Sequence, residues 1–188
     1  MRLSHKLLLM LIPVLAMRIP SVLVADTIVT AGSDDVAIGD TFDVPVSVSG
    51  VSDLYAFQFD LSYDPTVLEL TNITEGSFLS SAGVTFFIPG TIDNMAGTAT
   101  STADALIGAI AGASGEGDLA IFDFTAISVG SSDLALSNVT LLDSSLNAIP
   151  FTISNGQVAS AVPEPNVFPL LVTMLACLTL TAPKLAKR

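Results

Sequence analysis

The feature that most constrains the fold of this chain is a set of short runs in which apolar and polar residues alternate strictly. In residues 55–63, Tyr, Phe, Phe, Leu and Tyr occupy the odd positions, and Ala, Gln, Asp and Ser occupy the even positions. Residues 42–48 and 120–126 alternate in the same way. Because successive side chains of a β-strand point to opposite faces, each run predicts a strand with one buried face.

Further short runs separated by Gly, Asp, Asn, Ser and Pro raise the expected number of strands to about nine, without any long helix. These runs lie near residues 27–31, 67–74, 84–88, 97–103, 133–142 and 151–159. Residues 105–113 fit either a strand or a helical turn. Pro45 lacks a backbone donor, so it predicts an edge strand or a bulge at its position. The pattern favours an all-β domain made of two packed sheets.

The charges of the chain are segregated along the sequence. None of the six basic residues lies between positions 19 and 183, whereas seventeen of the eighteen acidic residues lie within 26–161, the other being Glu164. A domain without cations cannot displace the counterions of phosphates, which excludes nucleic-acid binding and disfavours anionic lipid. Cationic partners or divalent cations are the expected counterparts of this domain.

An inventory of side chains also excludes most catalysis by residues 26–161. The only histidine is His5 and the only cysteine is Cys177, so this segment offers no imidazole, thiolate, amine or guanidinium group. Only paired carboxylates of the glycosidase type are left, and no pair is singled out by its spacing. We therefore expect a module that binds and does not catalyse.

Residues 1–25 predict a signal peptide. Arg2 and Lys6 precede an apolar run over 7–17, and the small residue Ala25 precedes the polar Asp26. A basic start, a short apolar run and a small residue at the cleavage site are typical of secretory signals. The expected location is therefore outside the cytoplasm, and the exported domain is expected to span 26–161.

Residues 162–188 predict a sorting or anchoring segment. Pro163, Glu164 and Pro165 precede an apolar run over 167–182, which is followed by a basic tail made up of Lys184, Lys187 and Arg188. This order resembles the PEP-CTERM sorting signal, which implies recognition by an exosortase and display at the cell surface or in the matrix. A plain membrane anchor that is never processed is the alternative, with the basic tail on the cytoplasmic side.

The domain between these ends resembles a cohesin. The likeness covers residues 27–160 and is carried, in order, by the stretches beginning at Gly39 (Gly-Asp-Thr-Phe-Asp-Val-Pro-Val), Phe57 (Phe-Gln-Phe-Asp-Leu-Ser-Tyr-Asp-Pro-Thr-Val-Leu-Glu), Gly117 (Gly-Asp-Leu-Ala-Ile-Phe-Asp-Phe) and Asn155 (Asn-Gly-Gln-Val). The resemblance implies a nine-stranded jelly-roll β-sandwich related to carbohydrate-binding modules. It also implies a non-catalytic scaffolding role, since cohesins of cellulosomes bind dockerins.

The resemblance also points to a partner-binding face, which comprises Ala56, Gln58, Asp60 and Ser62. In cellulosomal cohesins the dockerin helix packs on the outward face of the strand leading into Tyr-Asp-Pro, where Asn and Asp are common. Ala56 and Gln58 depart from that pattern. We expect a protein partner, dockerin-like or another envelope protein, in a polysaccharide-associated assembly; the alternative is a carbohydrate-binding module that retains exopolysaccharide. The absence of Trp disfavours an aromatic sugar platform.

Calcium is the one cofactor that the sequence suggests. Asp34, Asp35, Asp40 and Asp143 lie in expected loops and offer the oxygen ligands that calcium prefers. No EF-hand pattern is present. Acidic turn chemistry explains the same residues, because Asp side chains bond readily to the backbone of turns.

Overall fold

The computed structural model describes residues 26–163 and confirms an all-β domain. The only helix in this part of the chain is the four-residue α1, Ser77–Ser80. The strands are β1 Ile28–Ala31, β2 Asp34–Ala37, β3 Thr41–Ser62, β4 Leu68–Glu75, β5 Thr91–Asp93, β6 Thr98–Ala105, β7 Ala113–Ala126, β8 Gly130–Asp143, β9 Thr152–Ser154 and β10 Gly156–Ala161.

The strand β3 organises the whole domain. It is 22 residues long and contains two of the runs that alternate in the sequence. Its first part pairs with β7 and β1, and its second part pairs with β6 and β8. The register with β7 shifts between Val48 and Leu54, where Gly50 and Asp53 have positive φ. The strand therefore exchanges its neighbours at this irregular stretch.

This exchange of partners creates two layers that face each other. The first layer has the order β4-β7-β3-β1-β9, and the second has the order β5-β6-β3-β8-β10-β2. Phe59 in the second layer lies 6.0 Å from Phe122 in the first, measured between ring centroids. Tyr63 meets the ring of Phe124 edge-on at 5.2 Å. These aromatic side chains join the layers, and Phe59, Phe122 and Phe124 are fully buried.

The alternating runs define the core as the sequence predicts. Phe57, Phe59 and Leu61 are buried, as is Tyr63 directly after β3, whereas Tyr55 in the same run is only half-buried. Val44, Val46 and Val48 are buried in the same strand, as are Ala120, Phe122, Phe124 and Ala126 in β7.

The number of strands differs from the expected nine. The short strands β2 and β5 carry too few residues to show alternation, and the run 151–159 divides at Asn155 into β9 and β10, which join different layers. The run 84–88 is not a regular strand. It forms only the isolated bridges Thr85–Leu106 and Ile88–Ala103 along the edge of β6.

Two open questions of the sequence are answered by the backbone. Residues 106–112 form neither a helix nor a regular strand, and Gly108 adopts a φ of +104° there. Pro45 does not lie on an edge strand, since β3 has neighbours on both sides. The alternative, a bulge at Pro45, is not found either: Pro45 pairs regularly with Ile121, and the register with β7 shifts only beyond it, between Val46 and Ser47.

Asn94 ties the second layer to the edge strand of the first. It lies in the turn between β5 and β6, where its Oδ1 accepts hydrogen bonds from the Leu70 amide at 2.9 Å and from the Tyr63 hydroxyl at 2.6 Å. Its Nδ2 donates to the Leu70 carbonyl at 3.0 Å. Burial raises the pKa of Tyr63 to about 12. The amide side chain thus replaces a strand partner for β4.

We expect Asn94→Ala to reduce the free energy of unfolding by about 1–3 kcal/mol, because the buried Tyr63 hydroxyl loses its acceptor. Chemical denaturation measures this change. Combining Asn94→Ala with Tyr63→Phe removes the unsatisfied hydroxyl, so the double variant should lose less stability than the sum of the two single variants. Additive losses would contradict this role of Asn94.

Candidate functional site

The outward side of the second layer carries a compact grid of small and uncharged residues. Ala56 on β3 pairs with Ala105 on β6 and with Leu142 on β8. Gln58, two residues further on, pairs with Ala103 and Thr140 in the same way. Since residues two apart share a face, these six side chains form one continuous surface, which we call the floor.

A wall of larger apolar side chains borders this floor. The segment 84–88 runs along β6, and the amides of Phe86 and Ile88 donate to the carbonyls of Ala105 and Ala103, each at 2.8 Å. The side chains of Phe86 and Ile88 are 64% and 44% exposed. Floor and wall together enclose a cleft of about 270 Å³, which we call the β6–β3–β8 cleft.

The apolar surface continues beyond the cleft. Val84 is 70% exposed, and its carbonyl accepts a hydrogen bond from the amide of Ile107, which is itself exposed. Gly83, beside Val84, lies against the side chain of Ile110. Contiguous exposed apolar residues on a soluble domain are typical of an interaction surface, whereas scattered single residues are not.

Asp60, one of the four residues predicted for the partner-binding face, has a structural role in the row below the cleft. Its Oδ1 accepts from the Ser101 amide at 2.7 Å, and its Oδ2 accepts from the Asn138 Nδ2 at 2.6 Å. Ser101 and Asn138 have φ values of +60° and +51° and mark register shifts on β6 and β8. One carboxylate therefore stabilises a bulge on each side of β3.

The four predicted residues thus divide into two pairs. Ala56 and Gln58 line the cleft. Asp60 accepts hydrogen bonds from the residues of the two bulges, and the Ser62 hydroxyl donates to the Ala135 carbonyl at 3.3 Å. Sequence reasoning missed the wall, although the alternation of exposed apolar residues at 84, 86 and 88 was a signal for it.

Two carboxyl groups lie beneath the wall. Asp104 on β6 is 3% exposed, and burial raises its pKa to about 6, with a further contribution from the negative charge of Glu75. Glu75 ends β4, and its Oε1 accepts from the Thr85 hydroxyl at 2.5 Å. This contact connects the wall segment to the carboxyl pair.

The four calcium candidates do not form one site. Asp34 and Asp35 lie in β2 beside Gln157, Asp40 accepts from the Ala37 amide, and Asp143 accepts from the amides of Ser145 and Asn147. Hydrogen bonds from Asn147 hold the pKa of Asp143 below its usual range. Within residues 26–163, no group of three or more acidic, His or Cys side chains is arranged to hold a metal ion.

The predicted terminal segments fall outside the described residues, apart from Val162 and Pro163. The signal peptide over 1–25 lies there, as do Glu164, Pro165, Lys184, Lys187 and Arg188. In the part of the chain that the structure describes, no helix has the length and apolar character needed to cross a membrane.

A model of a known protein family matches nearly all of the residues that the structure describes. The family model of the cohesin domain matches residues 27–159. A curated relative, cellulose-binding protein A of Clostridium cellulovorans, is 39% identical over 57 residues. That match covers 30% of this chain but only 3% of the relative, which is far longer.

Solved structures show the same fold. A non-cellulosomal cohesin from the hyperthermophilic archaeon Archaeoglobus fulgidus matches with a TM-score of 0.61 and 22% identity, covering 74% of this chain and 94% of that one. The sixth cohesin of Acetivibrio cellulolyticus scaffoldin B, solved with a mutant Cel5 dockerin, gives a TM-score of 0.62 and 23% identity. The coverage there is 72% of this chain and 99% of that one.

We expect Asp60→Ala to lower the free energy of unfolding by about 1–3 kcal/mol, since two polar groups on neighbouring strands lose their acceptor. Denaturant unfolding monitored by tyrosine fluorescence measures it. Asp43→Ala is the matched control: Asp43 is an exposed residue of the same strand that faces Asp123 across the β3–β7 pair. The free energy of unfolding of Asp43→Ala should stay within about 0.5 kcal/mol of that of the parent chain. Equal losses of stability in Asp43→Ala and Asp60→Ala would contradict the role of Asp60.

Proposed function

The chain belongs to the cohesin family, and from this premise we propose that residues 26–161 bind a protein partner of the dockerin type through the β6–β3–β8 cleft. Cohesin domains are non-catalytic binding modules. The observation that carries the proposal is the cleft itself, which combines a floor of small side chains with the exposed Phe86 and Ile88. Its floor includes Ala56 and Gln58, at positions that the family resemblance assigns to the partner. The exchange of neighbours along β3 supports a jelly-roll sandwich as the underlying connectivity.

The chemistry of the cleft defines the class of partner surface that fits it. Its floor offers alanine methyl groups and the Leu142 side chain, with Gln58 and Thr140 as the hydrogen-bonding groups. A helix with small or apolar side chains on one face would pack against such a floor and wall. We infer that apolar contact dominates here, in contrast to the polar Asn and Asp common on cellulosomal cohesins.

Electrostatic complementarity adds a second requirement for the partner. The segment 26–161 carries seventeen of the eighteen acidic residues, since Glu164 lies outside it, and it carries no Lys or Arg. A partner with basic residues around its apolar contact would associate faster and would discriminate against acidic competitors. Raising the salt concentration should therefore slow the association more than it speeds dissociation.

The carbohydrate-binding alternative finds less support in the side chains. Tyr63 is buried, and Tyr55 is half-buried, with its hydroxyl donating to the Gly108 carbonyl at 2.6 Å. Neither tyrosine forms an open platform on which a sugar ring could stack. Retention on exopolysaccharide, with no protein partner, would be the outcome that favours this alternative.

We further propose that the domain is exported and displayed at the cell surface or in the extracellular matrix. The pattern of residues 1–25 supports export, and the order of Pro163, Glu164, Pro165, apolar run and basic tail supports sorting by an exosortase. In this proposal residues 162–188 hold the domain at the membrane, either transiently before processing or permanently. The partner would then be an envelope or matrix protein, in an assembly that includes polysaccharide.

We expect Phe86→Asp to weaken binding to the cognate dockerin-type protein by at least about tenfold, which corresponds to about 1.4 kcal/mol. Exposed aromatic side chains at the centre of an interface contribute strongly to affinity, and the new carboxylate would also be desolvated. The measurement is titration calorimetry against a panel of recombinant dockerin modules and envelope proteins from the source organism.

Val129→Asp is the matched control for this substitution. Val129 is 53% exposed in the turn between β7 and β8, away from the cleft, so its replacement adds the same charge to a different surface. Its affinity should stay within about twofold of the parent chain. Equal weakening by both variants, or no partner in the panel that binds at micromolar affinity, would contradict the proposed function.

Processing of the two ends is tested by intact-mass measurement of the protein recovered from the culture medium and from membranes. We expect the mature chain to begin near Asp26, because the signal peptide is removed during export. Glu164→Ala should retain residues 162–188 and keep the protein in the membrane fraction. Identical fractionation and mass of the parent chain and this variant would contradict sorting through the Pro-Glu-Pro motif.

A further inference from the structure

The carboxyl pair beneath the wall is unusual among the acidic residues of the domain. The Asp104 Oδ1 accepts a hydrogen bond from the Ala105 amide at 2.8 Å. The Asp104 Oδ2 is buried and meets no donor of the described residues in hydrogen-bond geometry, although the nearby Phe86 amide offsets part of the rise in the pKa of Asp104. The neighbouring acid, Glu75, accepts a hydrogen bond from the Thr85 hydroxyl at its Oε1. A buried carboxylate oxygen without a donor is costly, whereas a protonated carboxyl can itself donate to a second carboxylate.

Within residues 26–163, the surroundings of the pair offer no cation to neutralise it. The segment between positions 19 and 183 contains no Lys or Arg. Phe57 lies opposite Asp104 on β3, Ala120 lies opposite Glu75 on β7, and Thr85 and Phe86 approach from the wall, none of them charged. Among the described residues, Glu75 is the charged group whose field acts on Asp104. A proton is therefore the available counter-charge.

We propose that a protonated Asp104 donates a hydrogen bond to Glu75, and that the two side chains form a latch that fastens the wall segment 84–88 to β6. When the proton is present, Asp104 donates to Glu75, and Glu75 holds Thr85 in the wall. When the proton is lost, two like charges face each other in a buried site, and displacement of Glu75 towards solvent relieves their repulsion. Thr85 moves with Glu75, and the wall loosens.

The direction of the pH dependence follows from the carboxyl pair. Burial and the charge of Glu75 raise the pKa of Asp104 to about 6, above its ordinary value of 3.8. A group with a raised pKa in the folded state contributes stability that is present at low pH and is lost as the pH rises through that value. The latch is therefore closed in mildly acidic solution and open above neutrality.

The consequence for partner binding rests on the proposed function. Phe86 and Ile88 belong to the latched segment and form the wall of the cleft. A closed latch presents both side chains in a fixed position, which lowers the ordering cost of binding. The partner should accordingly bind more tightly in mildly acidic solution than above neutrality.

Amide hydrogen exchange of the purified full chain tests the latch without any partner. The reporters are the amides of Phe86 and Ile88, which are bonded to the carbonyls of Ala105 and Ala103. After correction for intrinsic exchange, we expect their protection to fall by about tenfold between about pH 5 and about pH 7.5. In Asp104→Asn the protection should be independent of pH. The exposed Asp43→Asn is the matched control and should keep the pH dependence of the parent chain.

A pH-independent protection in the parent chain overturns the latch, and so does an unchanged pH dependence in Asp104→Asn. Glu75→Gln provides a second variant if Asp104→Asn does not fold, and the pH dependence should be lost in it as well. The outcomes also separate the latch from the proposed function. If protection depends on pH in a chain whose cleft binds no protein, the latch is supported and the proposed function is contradicted. If protection is independent of pH but binding depends on Phe86, the proposed function is supported and the latch is contradicted.

Discussion

The structure depends on one continuous strand that belongs to both layers. β3 pairs with β7 and β1 over its first part and with β6 and β8 over its second part, so that a single chain segment sets the position of both sheets. Its inward residues Phe57 and Phe59 enter the core, and its outward residues Ala56 and Gln58 form the floor of the cleft. Because a slip of one residue would exchange these faces, burial of the aromatic side chains also fixes which residues a partner meets.

The fold could be predicted from the sequence wherever the signal was local. Alternation over a few residues identified the buried faces of β3 and β7, and the ordered motifs indicated the family that the comparison confirms. The bulges around Asp60 were not predictable in the same way, because Ser101 and Asn138 lie 41 and 78 residues from it in the chain. For the same reason the sequence analysis places Asp60 on the partner-binding face, whereas in the fold its carboxylate stabilises the two bulges.

The wall shows why only half of the site could be predicted. Residues 84–88 alternate as a strand does, but they lie at the edge of β6, with their apolar side chains at 84, 86 and 88 facing outward. A sequence pattern cannot distinguish an apolar face that packs on a core from one left for a partner, since both have the same period. The family resemblance indicated Ala56 and Gln58 in the middle of the floor, whereas the floor residues on β6 and β8 and the whole wall required the arrangement in space.

The acidic residues of the domain are stabilised mostly by hydrogen bonds from the chain. Donors from Ser144 and Gly112 lower the pKa of Asp53, and donors from Thr66 lower the pKa of Asp64, whereas Asp104 beneath the wall has its pKa raised. The domain therefore remains strongly anionic around a cleft whose floor is uncharged, and this contrast defines the partner surface. Mapping of backbone amide chemical shifts during titration with the bound partner tests that account most directly. It predicts the largest shifts within residues 56–58, 84–88, 103–105 and 140–142; shifts centred on the outer face of β4 and β7 would contradict it.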